Sequence, residues 1–229
     1  MNGLSRAPAP TGKEKYMKLG DIKAQALSLM FVNTSEEIAH DNIVDRAGDD
    51  TYGYYLVRMP EAINRAFSAI ERARVLPVRS QELVAAAGAE TLRGVRFDLG
   101  TLISDYYDVE RVVKETRASY ETVTDYFREG DAIVIEGFDT AAMYRLLYRP
   151  SIRRIGAGTA DDYEVSEIPE RIACYLPYAI KAEIFRNDDP DEAEMARAVF
   201  EQAMAEIAAE ERGSHQGRVR TVYGGGLMV

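Results

Sequence analysis

The side chains most often used as nucleophiles or general bases are scarce in this sequence. His40 and His215 are the only histidines, and His215 lies near the C-terminus. A triad of nucleophile, histidine and acid would have to use His40, and no pattern in the sequence supports one. Cys174, the only cysteine, lies beside Leu176 on the apolar side of a predicted helix. That setting favours a buried small hydrophobic residue over a nucleophile, so we predict no catalytic residue and no enzyme activity.

Clustered carboxylates are the other candidates, because hard cations such as Mg²⁺ and Ca²⁺ bind oxygen ligands. The densest cluster consists of Asp188, Asp189, Asp191 and Glu192. Acidic residues are also favoured at a helix N-terminus by the exposed backbone amides and the helix dipole. We therefore interpret this cluster as a helix start and predict no metal site there.

Three further patterns carry weaker signals. Asp105 and Asp108 could form a carboxylate pair beside two tyrosines, but no histidine or third ligand accompanies them. The pairs 49–50 and 161–162 are interpreted as solvated acidic turns. The segment Gly156–Gly158 lacks the third glycine and the helix of a dinucleotide site, so it predicts a turn. No cofactor is expected.

The elements that would position these residues begin with helices near the N-terminus. Apolar spacing predicts a first helix over 21–33 with Asp21 as its N-cap, and a short helix over 36–45. A second helix is predicted over 60–74, because Pro60 suits a first helical position. Glu61 is expected to pair with Arg65 one turn later.

The C-terminal half returns to helix after a β region. Pro169 is expected to open a helix that Pro177 kinks. Asp189 is the predicted N-cap of a final helix that ends at Gly213. The predicted buried seam of that helix consists of Ala193, Ala196, Phe200, Ala203 and Ile207.

The middle of the chain predicts an antiparallel β unit, because short alternating or apolar runs are separated by turns. The expected strands cover 95–99, 132–136 and 143–148, with weaker candidates at 111–114 and 120–124. The fold class is therefore α+β, a helical bundle from the N- and C-terminal segments with an inserted antiparallel β unit. The predicted division is a flexible lead over 1–17, helical parts over 18–77 and 167–213, the β domain over 78–166, and an extended arm over 214–229.

Charge is distributed unevenly along the chain. Residues 1–18 and residues 212–229 each carry a net charge of +3, so within the total of −10 the body between them carries −16. An acidic body repels a phosphate backbone and disfavours sequence-specific DNA binding. The basic tails suit docking onto a partner or a second copy, and the alternative is that they only keep the chain ends solvated.

The C-terminal tail alternates basic or polar residues with apolar or aromatic ones. Such a segment could add as a strand to the edge of a partner's sheet, and the alternative is plain disorder. The partner-binding candidates in the tail are Arg218, Arg220, Val222, Tyr223, Leu227 and Val229.

Both helical ends of the chain resemble a known family. The C-terminal residues that carry the resemblance are 168–170, 175–183, 188–193, 196–197 and 200–201, and the N-terminal ones are 18–22, 29–31 and 59–66. These stretches resemble the head-to-tail adaptor proteins of tailed bacteriophages, whereas the β unit carries no match.

The resemblance implies a structural virion protein in the neck between capsid and tail, assembled in the host cytoplasm. It implies a homo-oligomeric ring, often a dodecamer, through which DNA passes without sequence-specific contacts. Its partners would be the portal protein, reached by the C-terminal arm, and a tail or nozzle protein. Residues expected between subunits are Arg65, Arg72 and Arg74 on one side, and Glu192 and Glu201 on the other.

Other hypotheses stay open. The chain could be another tail or baseplate component of a virion, or a cellular scaffold with the same helical frame. A metal-dependent hydrolase that uses the acidic clusters is a third hypothesis, and tight stoichiometric binding of Mg²⁺ or Ca²⁺ would support it.

Overall fold

A computed structural model of the protein describes residues 16–31, 38, 48, 50–86, 88–116 and 119–216. The helices are α1 (Leu19–Met30), α2 (Asp50–Ala73), α3 (Leu99–Leu102), α4 (Glu170–Ala173), α5 (Leu176–Ile184) and α6 (Pro190–Gln216). The strands are β1 (Arg79–Leu83), β2 (Glu90–Thr91), β3 (Gly94–Asp98), β4 (Tyr106–Glu115), β5 (Tyr120–Val123), β6 (Tyr126–Glu129), β7 (Ala132–Ile135) and β8 (Met143–Pro150). The α+β class predicted from the sequence is confirmed.

The chain divides into two compact units. The helical unit comprises the described residues up to Ala66 together with Ile155–Phe200. The β unit comprises Phe67–Arg154 together with the described residues from Glu201 onward, and it contains all the strands named above. The domain boundaries predicted after residues 77 and 166 stay a prediction.

Helix α1 begins through backbone contacts rather than through a side-chain cap. The amide of Leu19 donates to the carbonyl of Tyr163 at 2.9 Å, and the amide of Gly20 donates to the carbonyl of Asp161 at 2.8 Å. These bonds satisfy amides that have no partner within the helix. The helix therefore starts before Asp21, which lies in the first turn, and the predicted N-cap role of Asp21 was wrong. The buried face of α1 packs against α5.

Helix α2 runs through Pro60, so the predicted start at Pro60 was wrong. A proline inside a helix costs about 3 kcal/mol, because it removes one hydrogen bond and crowds the preceding turn. Tyr52, Met59 and Ile63 are buried on one face that continues across the proline. Each such buried side chain contributes about 1.5–3 kcal/mol, enough together to offset that cost. The helix predicted over 36–45 falls outside the described residues.

The segment after Pro169 forms two helices instead of one kinked helix. Helix α4 ends at Ala173, and α5 starts at Leu176 with Pro177 in its first turn. Backbone amides in the first turn of a helix have no hydrogen-bond acceptor within the helix, so a proline, which lacks the amide hydrogen, costs no hydrogen bond there. The predicted kink at Pro177 was therefore wrong, because the sequence places a new helix start there.

Helix α6 begins as predicted and ends later than predicted. The carboxylate of Asp189 accepts a hydrogen bond from the amide of Glu192 at 3.1 Å, which confirms the N-cap. The predicted seam of this helix is buried throughout. The helix continues to Gln216, so the predicted end at Gly213 and the start of the arm at 214 were wrong.

The β unit contains two antiparallel sheets with strand orders β1-β8-β4-β5 and β2-β3-β7-β6. Buried residues of both sheets belong to one apolar core, which includes Phe97, Ile133 and Leu146. Strands β3, β7 and β8 match the three main predictions, and the two weaker candidates overlap β4 and β5. Strands β1, β2 and β6 were not predicted, because their sequences RSQEL, ET and YFRE contain neither an apolar run nor a regular alternation.

Candidate interaction surfaces

The predicted partner-binding residues of the tail, Arg218, Arg220, Val222, Tyr223, Leu227 and Val229, lie outside the described residues. The structure describes the helix that precedes them. Since α6 is buried along one face and runs to Gln216, the tail follows directly from an anchored helix. The tail hypothesis stays a prediction.

The residues expected between subunits have different surroundings. Arg65 donates to Glu183 at 2.8 Å and to Glu61 at 2.5 Å, which confirms the predicted helical pair. These two carboxylates raise the pKa of Arg65. Glu192 accepts a hydrogen bond from Lys181 at 2.7 Å. Arg65 and Glu192 are therefore already engaged within the chain, which leaves less of their charge available to a neighbour.

The other three candidates lie in the β unit. Arg74 follows the end of α2 in a left-handed conformation with φ of 57° and pairs with Asp108 at 2.7 Å. Arg72 and Glu201 are exposed, and neither forms an ion pair with another described residue. Of the five candidates, these two retain charges that a partner could use.

A polar groove in the helical unit was not predicted. It has a volume of about 330 Å³ and lies between α2 and the end of α5. Its lining residues are Arg58, Glu61, Ala62, Arg65, Glu183, Ile184, Arg186 and Asn187. The three arginines exceed the two glutamates by one charge, so the groove is a basic site on a chain whose body is acidic.

The arginines of the groove differ in their contacts. Arg58 donates to the hydroxyl of Tyr54 at 2.6 Å and reaches Asp188 only at 3.8 Å. Arg186 is exposed and pairs with none of the described residues. Because Arg65 is held by two carboxylates, Arg58 and Arg186 supply the positive charge that is accessible to an incoming group.

Next to the groove, α2 exposes two large apolar side chains. Tyr54 is 53% exposed and Val57 is 81% exposed. Positions 54, 57, 58, 61 and 65 follow helical spacing and share one face. The helical spacing of these positions is visible in the sequence. It was missed because a helix that begins at Pro60 does not include Tyr54, Val57 and Arg58.

Helix α6 presents a second exposed apolar patch beside its buried seam. Met195 is 57% exposed and Val199, one turn later, is 42% exposed. Glu194 flanks them, is exposed, and pairs with none of the described residues. An exposed apolar pair beside an unpaired acid is a surface suited to a partner of opposite charge.

The acidic cluster before α6 is held by structural contacts. Asp189 caps the helix, Glu192 accepts from Lys181, and Asp188 lies 3.8 Å from Arg58. These contacts agree with its interpretation as a helix start. Among the residues that the structure describes, no three histidine, cysteine or acidic side chains group closely enough to hold a metal ion.

Asp105 and Asp108 accept hydrogen bonds from separate donors. Asp105 accepts from Arg79 and, at 3.0 Å, from the hydroxyl of Tyr148. Burial, and then this contact, raise the pKa of Tyr148. Asp108 accepts from Arg74 at 2.7 Å and from Arg128 at 3.0 Å. Both carboxylates therefore neutralise arginines of the β unit.

Among the described residues of the β unit, Glu71 and Arg149 are the buried charged side chains, and their burial was not predicted from the sequence. Glu71 accepts from the amide of Ile152 at 2.8 Å and from Arg154 at 2.5 Å. Arg149 donates to the carbonyl of Leu76 and to Glu110. Charges and backbone groups that are buried together must satisfy one another. This network joins the end of α2 to the end of β8.

Cys174 does not match its prediction. It follows α4 at the helix end and is exposed, so the prediction of a buried hydrophobic residue was wrong. Cys174 lies two residues from both Ile172 and Leu176, and two residues of helical rotation place it on the side away from these buried residues. Partial desolvation of the thiol raises the pKa of Cys174, which lowers its thiolate fraction at neutral pH.

Two of the predicted turns lie before helix α4. Gly156–Gly158 lies in a turn, as predicted, closed by the amide of Thr159 bonding to the carbonyl of Gly156 at 3.1 Å. Asp161 lies in a turn, but its carboxylate forms a part-buried ion pair with Lys23 at 2.6 Å. The expectation of a solvated carboxylate at Asp161 was therefore wrong.

No protein-family model matches the sequence, and a search of curated proteins finds no match either. No helix in the described part of the chain is long and apolar enough to cross a membrane.

Proposed function

We propose that this protein is a head-to-tail adaptor of a tailed bacteriophage. In this function, copies of the chain form a ring in the virion neck, with twelve members in keeping with the family that the chain resembles. The ring joins the portal protein to a tail or nozzle protein, and DNA passes through its centre. Assembly would take place in the host cytoplasm.

The observation that carries the proposal is the anchored final helix leading into a basic tail. Helix α6 is capped by Asp189 and buried along its seam up to Ile207. The tail that follows Gln216 contains Arg218 and Arg220 and no acidic residue. An anchored helix fixes where such a tail starts, so the tail can reach a partner at low entropic cost.

The α+β organisation supports the same function. Helices from both ends of the chain enclose, in sequence, an antiparallel β region, and the stretches that resemble the adaptor family lie in those helices. An acidic body would let DNA slide through a channel without adhering, because like charges repel.

The test is co-purification with the portal protein encoded in the same genome. We expect the full-length chain to form a complex, and the chain truncated after Gln216 to lose it while keeping its helical circular dichroism. A matched variant, Arg218→Ser with Arg220→Ser, should weaken binding and reduce its salt dependence. If the full-length chain does not bind the portal, the adaptor function is wrong. A tail or baseplate component or a cellular scaffold then becomes the leading hypothesis.

A further inference from the structure

We infer that the exposed face of α2 with its basic groove binds the exposed face of α6 from a second copy of this chain. The α2 surface consists of Tyr54, Val57, Arg58 and Arg186. The α6 surface consists of Met195, Val199 and Glu194. The inference rests on the proposed function only for the closure of such contacts into a ring.

Each surface combines exposed apolar area with charge that the chain itself does not use. On the α2 surface, Val57 is 81% exposed, and Arg186 pairs with none of the described residues. On the α6 surface, Met195 is 57% exposed, and Glu194 is likewise unpaired among the described residues. Apolar contact supplies affinity, and opposite charges fix register and orientation.

The charges also identify the type of occupant. The groove carries three arginines and two glutamates, a net charge of only +1, which is little for binding the continuous negative charge of a nucleic acid. A helix that offers a single acidic side chain beside exposed apolar residues matches this small net charge and the exposed Tyr54 and Val57 next to it. Helix α6 of a second copy has this pattern at Glu194, Met195 and Val199.

The two surfaces are different patches, so the contact is heterologous. A heterologous contact leaves one unused surface at each end of a dimer, and each can bind another copy. Addition then continues, and it ends in a closed ring when the rotation between neighbouring copies closes. Because the body carries −16, the complementary patches must also overcome long-range repulsion between copies.

The first experiment is sedimentation velocity on the full-length chain over a range of concentrations. We expect concentration-dependent association, and Arg186→Glu or Glu194→Arg alone should weaken it about tenfold, because each turns an attractive contact into a repulsive one. The double variant should recover association, since the opposite charges are exchanged. Arg111→Glu, an equal charge change at an exposed position of β4, is the control and should leave association unchanged.

A crosslinking experiment tests the pairing directly. In a Cys174→Ser background, Val57→Cys and Met195→Cys each leave one cysteine, and a tag on one variant distinguishes the mixed dimer by mass. Mixing the two should give the mixed disulfide dimer in clear excess over either homodimer. A predominance of homodimers would contradict the heterologous contact.

The outcomes separate this inference from the proposed function. A chain that stays monomeric at all concentrations, or charge reversals that have no effect, would overturn the inference. The same chain could still bind the portal, and the adaptor function would then stand. Association without portal binding would support the inference and remove the adaptor function.

Discussion

The helical unit and the β unit place their charged side chains differently. In the β unit, Glu71 and Arg149 are 3% and 8% exposed, and both bond to backbone groups. In the described part of the helical unit, no charged residue is buried to that degree. The side chains of Lys23 and Lys181 are 13% exposed, and both are paired. The β unit therefore buries charge together with backbone partners, whereas the charged residues described in the helical unit stay at least partly exposed.

This difference suggests a division of tasks. A buried ion network is costly to disturb, because removing one partner leaves the other charge without compensation. Surface charges contribute little to stability, so they can take part in recognition of a partner without a loss of stability. We expect substitutions in the β unit to act mainly on folding, and substitutions on the exposed faces of α2 and α6 to act mainly on association.

The largest effect should come from the backbone of the β unit. Gly94 has φ of 150°, and the carbonyl oxygen of Ile135 occupies the space that a Cβ would need. Gly94→Ala should therefore destabilise the protein by more than about 3 kcal/mol, because strain and overlap add. Urea unfolding measures the change. Gly88→Ala is the control: its φ is 83° but the space around it is open, so it should cost only about 1 kcal/mol. Equal losses would contradict the role of the Ile135 contact.

The buried network should give the next largest effect. Glu71→Ala removes the acceptor of the Ile152 amide and of Arg154, and we expect a loss of about 2–4 kcal/mol in unfolding free energy. Glu82→Ala, at an exposed position of β1, is the matched control and should change it by less than about 0.5 kcal/mol. Equal stability of the two variants would show that the buried contacts of Glu71 do not stabilise the β unit more than an exposed charge does.

A partly buried lysine tests the helical unit. Lys181 donates to the carbonyl of Leu29 at 3.1 Å and to Glu192 at 2.7 Å. Lys181→Met keeps most of the side-chain volume and loses both bonds, so a loss of about 1–2 kcal/mol is expected in thermal or urea unfolding. Glu192→Gln, which keeps a hydrogen-bond acceptor without the charge, should lose less. A larger loss for Glu192→Gln would mean that charge outweighs the hydrogen bonds.

The smallest effect concerns pH. The amide of Ala141 and then Lys114 lower the pKa of Asp139 below its ordinary value. A lowered folded pKa contributes stability above the unfolded pKa, and that stability is lost as pH falls through the folded pKa. At neutral pH, the urea midpoint of the wild-type protein should be slightly higher than that of Asp139→Asn. In acid, where Asp139 is protonated, the two midpoints should be equal. A difference that persists in acid would assign the effect to packing rather than to charge.

The sequence predicted those features that depend on local spacing. The Asp189 cap and the buried seam of α6 follow from residues within two or three turns of one another. Strands β3, β7 and β8 were predicted for the same reason, since their alternation or apolar runs stand between turn residues. The paired charges Glu61 and Arg65 also lie one helical turn apart.

Features that depend on distant residues were missed. Helix α2 passes through Pro60 because burial of Tyr52 and Met59 offsets the lost hydrogen bond, and burial is decided by the rest of the fold. The polar strands β1 and β6 exist because β8 and β7 supply their hydrogen-bond partners. The exposed face of α2 was missed for the same reason as the helix start.

The amino-acid sequence by itself determined the α+β class, the start and buried seam of α6, and the basic tail on an acidic body. Only the tertiary structure decided that Glu71 and Arg149 are buried together, that Cys174 is exposed, and that Arg186 lies in a groove with Arg58. The physical reason is range: helix caps and periodicity act over a few residues, whereas burial and charge pairing join residues such as Glu71 and Arg154 that are far apart along the chain.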